Sequence, residues 1–181
     1  MKRTVLLTVA LSTALAGCGG SSSGGTQSVG GSPSASATTA TGGGDAGSCT
    51  PSGKGTTDLK VKPVAAYLKD AEPTETTIHD IVCGTGAEAK EGSAVEVKYV
   101  GVLFKDGKEF DSSWSRGASE TLPFSIGGGV IPGFSKGTLG MKIGGRREVV
   151  IPSKDGYGDQ GSGPIPGGAT LVFIIDLVKT S

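Results

Sequence analysis

The sequence has few of the residues that most catalytic chemistry requires. Among 181 residues there is one histidine, His79, one tryptophan, three cysteines and only 5% aromatic residues. A single histidine excludes Ser/His/Asp and Cys/His catalytic arrangements. It also cannot build a metal site with cysteines as scattered as Cys18, Cys49 and Cys83, so no metal or other cofactor is expected and His79 reads as a surface strand residue. Basic and acidic residues balance at 17 each, and nothing is basic enough to suggest nucleic acid or an anionic membrane surface as a partner. Long apolar runs are absent as well. Val5 to Ala16 is mostly apolar, but twelve residues at about 1.5 Å each reach only about 18 Å, short of the roughly 30 Å hydrocarbon core of a bilayer.

That stretch follows Lys2 and Arg3 and precedes Gly17, which predicts a removable export signal over residues 1–17. Its loss takes two basic residues with it and leaves a formal charge of about −2. Leu15-Ala16-Gly17-Cys18 resembles the lipobox of bacterial lipoproteins, whose cysteine is lipidated and becomes the mature N-terminus. Two or more acyl chains on Cys18 give stable anchoring, which one chain does not. The expected location is therefore extracytoplasmic, with the chain held on the cell membrane through a lipid anchor only, or secreted if Cys18 stays unmodified. Residues 18–48 are then a tether of Gly, Ser, Thr and Ala with a single charge, Asp45. Such a composition cannot bury enough apolar surface to offset its ordering entropy. In an exported chain the remaining pair, Cys49 and Cys83, invites a disulfide, with two free or buried thiols as the alternative.

Residues 49–76 contain Leu59, Val61, Val64 and Leu68 but are interrupted by Pro63 and Pro73, and are read as an extended segment, an added edge strand packing on the domain. Residues 77–181 look like one domain of strands and glycine-rich turns. Val95, Val97 and Tyr99 alternate with polar residues, and Asp106-Gly107 marks a hairpin whose return strand holds Phe110. Thr121 to Ile126, Arg146 to Ile151 and Thr170 to Val178 are further short strands. Only Phe134 to Met141 suits a helix, and its two glycines weaken it. The class is α+β: an antiparallel, curved sheet of five or six strands around one short helix.

Seven motifs now stand in order: Tyr99-Val100-Gly101, Asp106-Gly107-Lys108-Glu109-Phe110-Asp111-Ser112-Ser113, Val130-Ile131-Pro132-Gly133-Phe134, Gly140-Met141-Lys142-Ile143-Gly144, Ile151-Pro152, Tyr157-Gly158 and Ala169-Thr170-Leu171-Val172-Phe173. Over about 100 residues this series resembles the FKBP-type peptidyl-prolyl cis-trans isomerases, and in particular exported actinobacterial members. The resemblance implies an apolar pocket for a proline ring, walled by Tyr99, Phe110, Val130, Ile131, Tyr157, Ile165 and Phe173, with Phe134 at its base. It places Asp111 and Arg116 at the rim and implies catalytic roles for Tyr99, Phe110, Asp111 and Tyr157. Phe134 stands where the family often has Trp, and Leu122 where it is usually aromatic. The implied partners are proline-containing polypeptides and tacrolimus- or rapamycin-like macrolides, bound by a monomer.

Other readings carry less. Gly156-x-Gly158-x-x-Gly161 matches a dinucleotide-binding pattern, yet Pro164 and Pro166 stand where its helix should begin. Trp114 either touches substrate beyond the proline or packs over the rim. A proline-binding module with little turnover is the main rival to an enzyme. A holding chaperone is the third reading, without the inserted flap or helical arm that would support it.

Overall fold

The computed structural model describes residues 49–181; the export signal, Cys18 and the tether lie outside the described residues. Six strands form one antiparallel sheet: β1 (Thr77–Val82), β2 (Ala94–Leu103), β3 (Glu109–Ser112), β4 (Leu122–Ser125), β5 (Arg146–Ile151) and β6 (Leu171–Thr180). Their spatial order is β1-β5-β6-β2-β3, and β4 also pairs with β2. β3 lies against Val100–Val102 and β4 against Ala94–Val97, so the two share one edge of β2. Between them residues 113–121 leave the sheet and return. The Asp106-Gly107 hairpin forms as the sequence predicts: Gly107 N–H donates to Leu103 C=O at 2.8 Å and the Asp106 carboxylate accepts from Lys108 N–H at 2.9 Å.

Strand alternation sends Val95, Val97, Tyr99, Val149, Ile151, Phe173, Ile175 and Leu177 to one face, where they form a single core with Phe134 and Met141. The helix that covers this face, α1, runs from Pro132 to Thr138, two residues earlier than the sequence predicts at its start and three at its end. Pro132 starts it at no cost, because the missing N–H would be unpaired in a first turn anyway. Leu139 ends it by taking an extended ψ of 135°. The two glycines that weaken the helix on propensity are what let it dock. A Cβ at Gly133 would lie 2.3 Å from the Ile151 side chain, and one at Gly137 2.5 Å from that of Val149. Close approach to β5 therefore offsets a propensity cost of about 1 kcal/mol for each glycine.

The opposite face is not left to solvent. Ile81, Val100, Val102, Val150, Val172 and Ile174 form a second apolar cluster, against which Ala65, Leu68 and Trp114 pack. Residues 49–76 cross this face as a strap. They add no edge strand, contrary to the sequence-based expectation. Among the described residues of the strap only Ser52 N–H meets a strand edge, donating to Asp80 C=O of β1 at 2.7 Å; most of the strap's other links to the sheet run through side chains of β5. Arg146 spends all five of its N–H donors: Nε and Nη2 on the Asp176 carboxylate at 2.5 and 2.7 Å, Nη1 on Thr56 and Asp58 carbonyls at 2.8 and 3.0 Å, and Nη2 on Val61 C=O at 3.2 Å. Two positions along β5, the Glu148 carboxylate accepts from Ala66 N–H at 2.7 Å and Tyr67 N–H at 2.9 Å. Burial raises the Glu148 carboxyl above its ordinary range, and those two amides oppose the shift.

Tyr67 also corrects the surface reading of His79. Their rings stack at 3.8 Å and 9°, leaving His79 half-buried on β1. Cys49 and Cys83 are joined as a disulfide with Cα atoms 5.8 Å apart, which ties the start of the strap to the end of β1. Among the described residues no helix is long and apolar enough to cross a membrane.

Candidate functional site

Where α1 meets the inner face near β3, packing is incomplete and a cavity of about 410 Å³ remains. Its floor is Phe134, only 3% exposed, supplied by the first turn of α1. Phe173 of β6 stands edge-on to it at 5.0 Å and 87°, and Tyr99 of β2 does the same at 5.9 Å and 86°. Phe110 of β3 meets Phe173 at 5.5 Å and 82°. Edge-to-face pairs are favourable beyond their burial and hold one another's orientation. The sheet leaves room for these rings at Gly101, where a Cβ would come within 2.8 Å of both Phe110 and Phe173.

Leu122, Val130, Ile131, Tyr157 and Ile165 complete the apolar lining. Ile165 reaches it because Ser162 and Ile165 exchange two backbone hydrogen bonds of 2.9 Å, folding Gly163-Pro164 into a tight corner that turns the isoleucine inward. Ser162, Gly163, Pro164 and Gly129 also touch the cavity and were missed from the sequence. A run of small residues and glycines carries no side-chain signal, and only its position between Tyr157 and Ile165 hints at a wall. The Gly156-x-Gly158-x-x-Gly161 segment lies in this turn-rich loop, and no helix follows it.

The rim is a three-residue polar cluster. The Tyr99 hydroxyl donates to Asp111 Oδ2. Arg116 reaches back from the 113–121 excursion, with Nη1 2.7 Å from Asp111 Oδ1 and Nη2 3.0 Å from the Tyr99 oxygen. Arg116 itself does not line the cavity; it acts on residues that do. Burial pushes the Tyr99 phenol above its ordinary value, and its bond to Asp111 adds to that. For Asp111 burial works upward, but the Tyr99 hydroxyl, the Arg116 guanidinium and the Ser112 N–H outweigh it and hold the carboxyl below the usual range. Both ion-pair side chains are about half exposed, 48% and 47%, so the pair contributes little to stability. What it does is fix the tilt of the Tyr99 ring over Phe134.

Two donors are left uncommitted at this cavity. Ile131 precedes the first helical residue with φ −60° and ψ 147°, and its N–H makes no hydrogen bond among the described residues. The Tyr157 side chain, 38% exposed, likewise has no hydrogen-bond partner among them. Groups that could hold a metal ion are not found among the described residues. Trp114 belongs to neither of its sequence-based alternatives: it packs on the outer cluster, with Lys98 Nζ 4.9 Å from the ring centre.

Residues 86–178 match the family described as FKBP-type peptidyl-prolyl cis-trans isomerase. The chain is 52% identical over 118 residues to the probable FK506-binding protein of Corynebacterium glutamicum, covering 65% of this chain and 98% of that protein. It is 47% identical over 120 residues to the FK506-binding protein of Streptomyces anulatus, covering 65% and 95%. The crystal structure of AtFKBP13 aligns with a TM-score of 0.55 at 35% identity, over 61% of this chain and 97% of that one.

Proposed function

The chain belongs to the family of FKBP-type peptidyl-prolyl cis-trans isomerases, and we propose that it accelerates X-Pro isomerisation in exported proteins by binding the twisted amide in the cavity above Phe134. An X-Pro bond rotates over a barrier of about 18–20 kcal/mol because the planar amide loses conjugation halfway, and spontaneous exchange takes tens to hundreds of seconds. No covalent bond is made or broken, so a catalyst needs only to bind the twisted form better than either planar form. Twisting reduces the charge separation between carbonyl oxygen and nitrogen. A dry aromatic site therefore penalises the planar amide more than the transition state.

The observation that carries this reading is the convergence of four aromatic rings, Tyr99, Phe110, Phe134 and Phe173, with two uncommitted donors at one cavity. In the proposed mechanism Ile131 N–H and the Tyr157 hydroxyl donate to carbonyls of the bound peptide, Phe110 and Tyr157 carry most of the rate enhancement, and Asp111 orders the rim. Tacrolimus- or rapamycin-like macrolides compete for the same site, and the chain works as a monomer. A protease-coupled or NMR exchange assay on a Leu-Pro or Phe-Pro peptide tests this; an unchanged rate in Phe110→Ala refutes the assignment of the cavity. Tight peptide binding without turnover would replace the enzyme by a proline-binding module.

Where the domain works is a separate proposal. Lipidation of Cys18 would tether it to the outer surface of the cell membrane. Labelling of the chain by radioactive palmitate, abolished in Cys18→Ser, is the expected result; equal labelling of both refutes it.

A further inference from the structure

Tyr157 has to present its hydroxyl to the peptide from the loop between β5 and β6, residues 152–168, which contains no strand. That loop begins in a single 3₁₀ turn, Ser153–Asp155, where Gly156 and Gly158 N–H groups donate to Ser153 C=O at 3.0 and 2.8 Å. The Tyr157 side chain makes no hydrogen bond among the described residues, so its place is set by this backbone. The anchor of the turn is Asp155, whose side chain is only 14% exposed. Its Oδ2 accepts from the Thr76 hydroxyl at 2.7 Å, and its Oδ1 from Lys136 Nζ at 3.0 Å. Thr76 closes the strap, one residue before β1 and outside the segment that matches the family. Lys136 sits on α1, two residues after the floor residue Phe134.

One carboxylate thus joins the strap, the pocket helix and the turn that delivers Tyr157. We propose that Asp155, held by Thr76, is a positioning residue that sets the Tyr157 hydroxyl for the isomerisation, so that the strap contributes to activity as well as to the covering of the outer face. The proposal rests on the isomerase reading of the cavity. Of the two partners Thr76 matters more. Lys136 is 58% exposed and its pairing is screened by solvent, whereas the Thr76 hydroxyl is uncharged and partly buried. The Asp155 carboxyl is accordingly held below its ordinary range, with the Thr76 hydrogen bond as the leading cause. The neighbouring Lys154–Glu75 pair, exposed at 54% and 73%, cannot substitute for it.

The test is a four-cornered comparison in the full chain: wild type, Thr76→Val, Tyr157→Phe and the double variant, with kcat/KM on a short X-Pro peptide. Loss of one positioning hydrogen bond is expected to lower kcat/KM about two- to tenfold in Thr76→Val. Thr76→Ser is expected to restore it. In the Tyr157→Phe background the same change should cost nothing further, since the hydroxyl it positions is gone. Equal losses in both backgrounds, or no loss in either, overturn the proposal. A wild-type chain without peptide activity refutes the isomerase reading instead, and amide exchange then decides this one. Faster exchange at Gly156 and Gly158 in Thr76→Val, with Ile174 and Ile175 unchanged, supports the anchor; unchanged exchange at all four overturns it.

Discussion

Replacing Arg146 with methionine isolates what the strap is worth. The guanidinium is fully buried, pairs twice with Asp176 across the β5–β6 register, and donates to three strap carbonyls. Arg146→Met would leave the Asp176 carboxylate, 7% exposed, without its partner. Breaking a buried pair from one side costs about 3–5 kcal/mol, because the remaining charge is uncompensated. The strap carbonyls add less, since a loosened strap can return them to water. Against a total stability of about 5–15 kcal/mol for an ordinary domain, this is a large fraction. Urea unfolding followed by Trp114 fluorescence measures it, and the probe is well placed because this sole tryptophan sits on the face the strap covers. The double variant Arg146→Met/Asp176→Leu, which removes both charges, should recover at least about half of the loss. A loss under about 1 kcal/mol in Arg146→Met, or no recovery in the double variant, would refute the account of the strap as held by this ion pair.

Four other outcomes are expected. Phe110→Ala should lower kcat/KM about 10- to 100-fold, the equivalent of one buried aromatic contact of about 1.5–3 kcal/mol, while the melting temperature moves far less than in Arg146→Met. Gly101→Ala should impair peptide turnover by driving Phe110 and Phe173 from positions 2.8 Å from the new methyl, which a crystal structure of the variant would display as displaced rings. Reduction of Cys49–Cys83 closes off a constraint on 34 residues of separation and should cost about 3–4 kcal/mol on the chain-entropy model, read as a lower urea midpoint in reductant. For His79, burial is the main cause of a pKa below 6.5, with Lys54 reinforcing it and Asp70 and Asp80 opposing. The unfolded chain therefore binds the proton more readily. His79's contribution is complete above about pH 6.5 and is lost as pH falls below it. Glu148 works in the opposite direction above pH 4.5, so the comparison to make is wild type against His79→Phe, whose unfolding should depend less on pH between 7 and 5. An identical pH dependence refutes the role of His79.

The pocket was legible in the sequence to a degree that the outer face was not, and the difference has a physical cause. Alternation in β2 assigns Val95, Val97 and Tyr99 to one side, and the family-like motifs name which rings close over the cavity; the structure gathers all of those rings around Phe134. Period-2 alternation says only that two sides differ, not what lies over each. On β5 Arg146 and Glu148 fall on the side opposite Val149 and Ile151, and both are fully buried. What covers them is a segment with no period of its own. The strap's backbone is paired to charged side chains, so neither hydrophobic pattern nor strand propensity reports it. Trp114 was misplaced for the same reason: with an unseen cover on the outer face, an aromatic residue after β3 had only the rim as a plausible shelter.

The Arg146, Glu148 and Asp155 contacts share one chemistry. Each is an ionisable side chain on the domain that hydrogen-bonds the strap; Arg146 and Glu148 are buried and meet its main chain, while Asp155 is partly exposed and meets a side chain. Main-chain partners depend little on which side chains the strap carries, so these links to Arg146 and Glu148 tolerate sequence change at the strap residues that make them. Asp155 is the exception, because it requires a hydroxyl at position 76. That is where a sequence change in the strap would be felt at the cavity, and the expected sign is clear: Thr76→Val should lower turnover more than any substitution between Thr56 and Val61, whose links to Arg146 run through carbonyls alone.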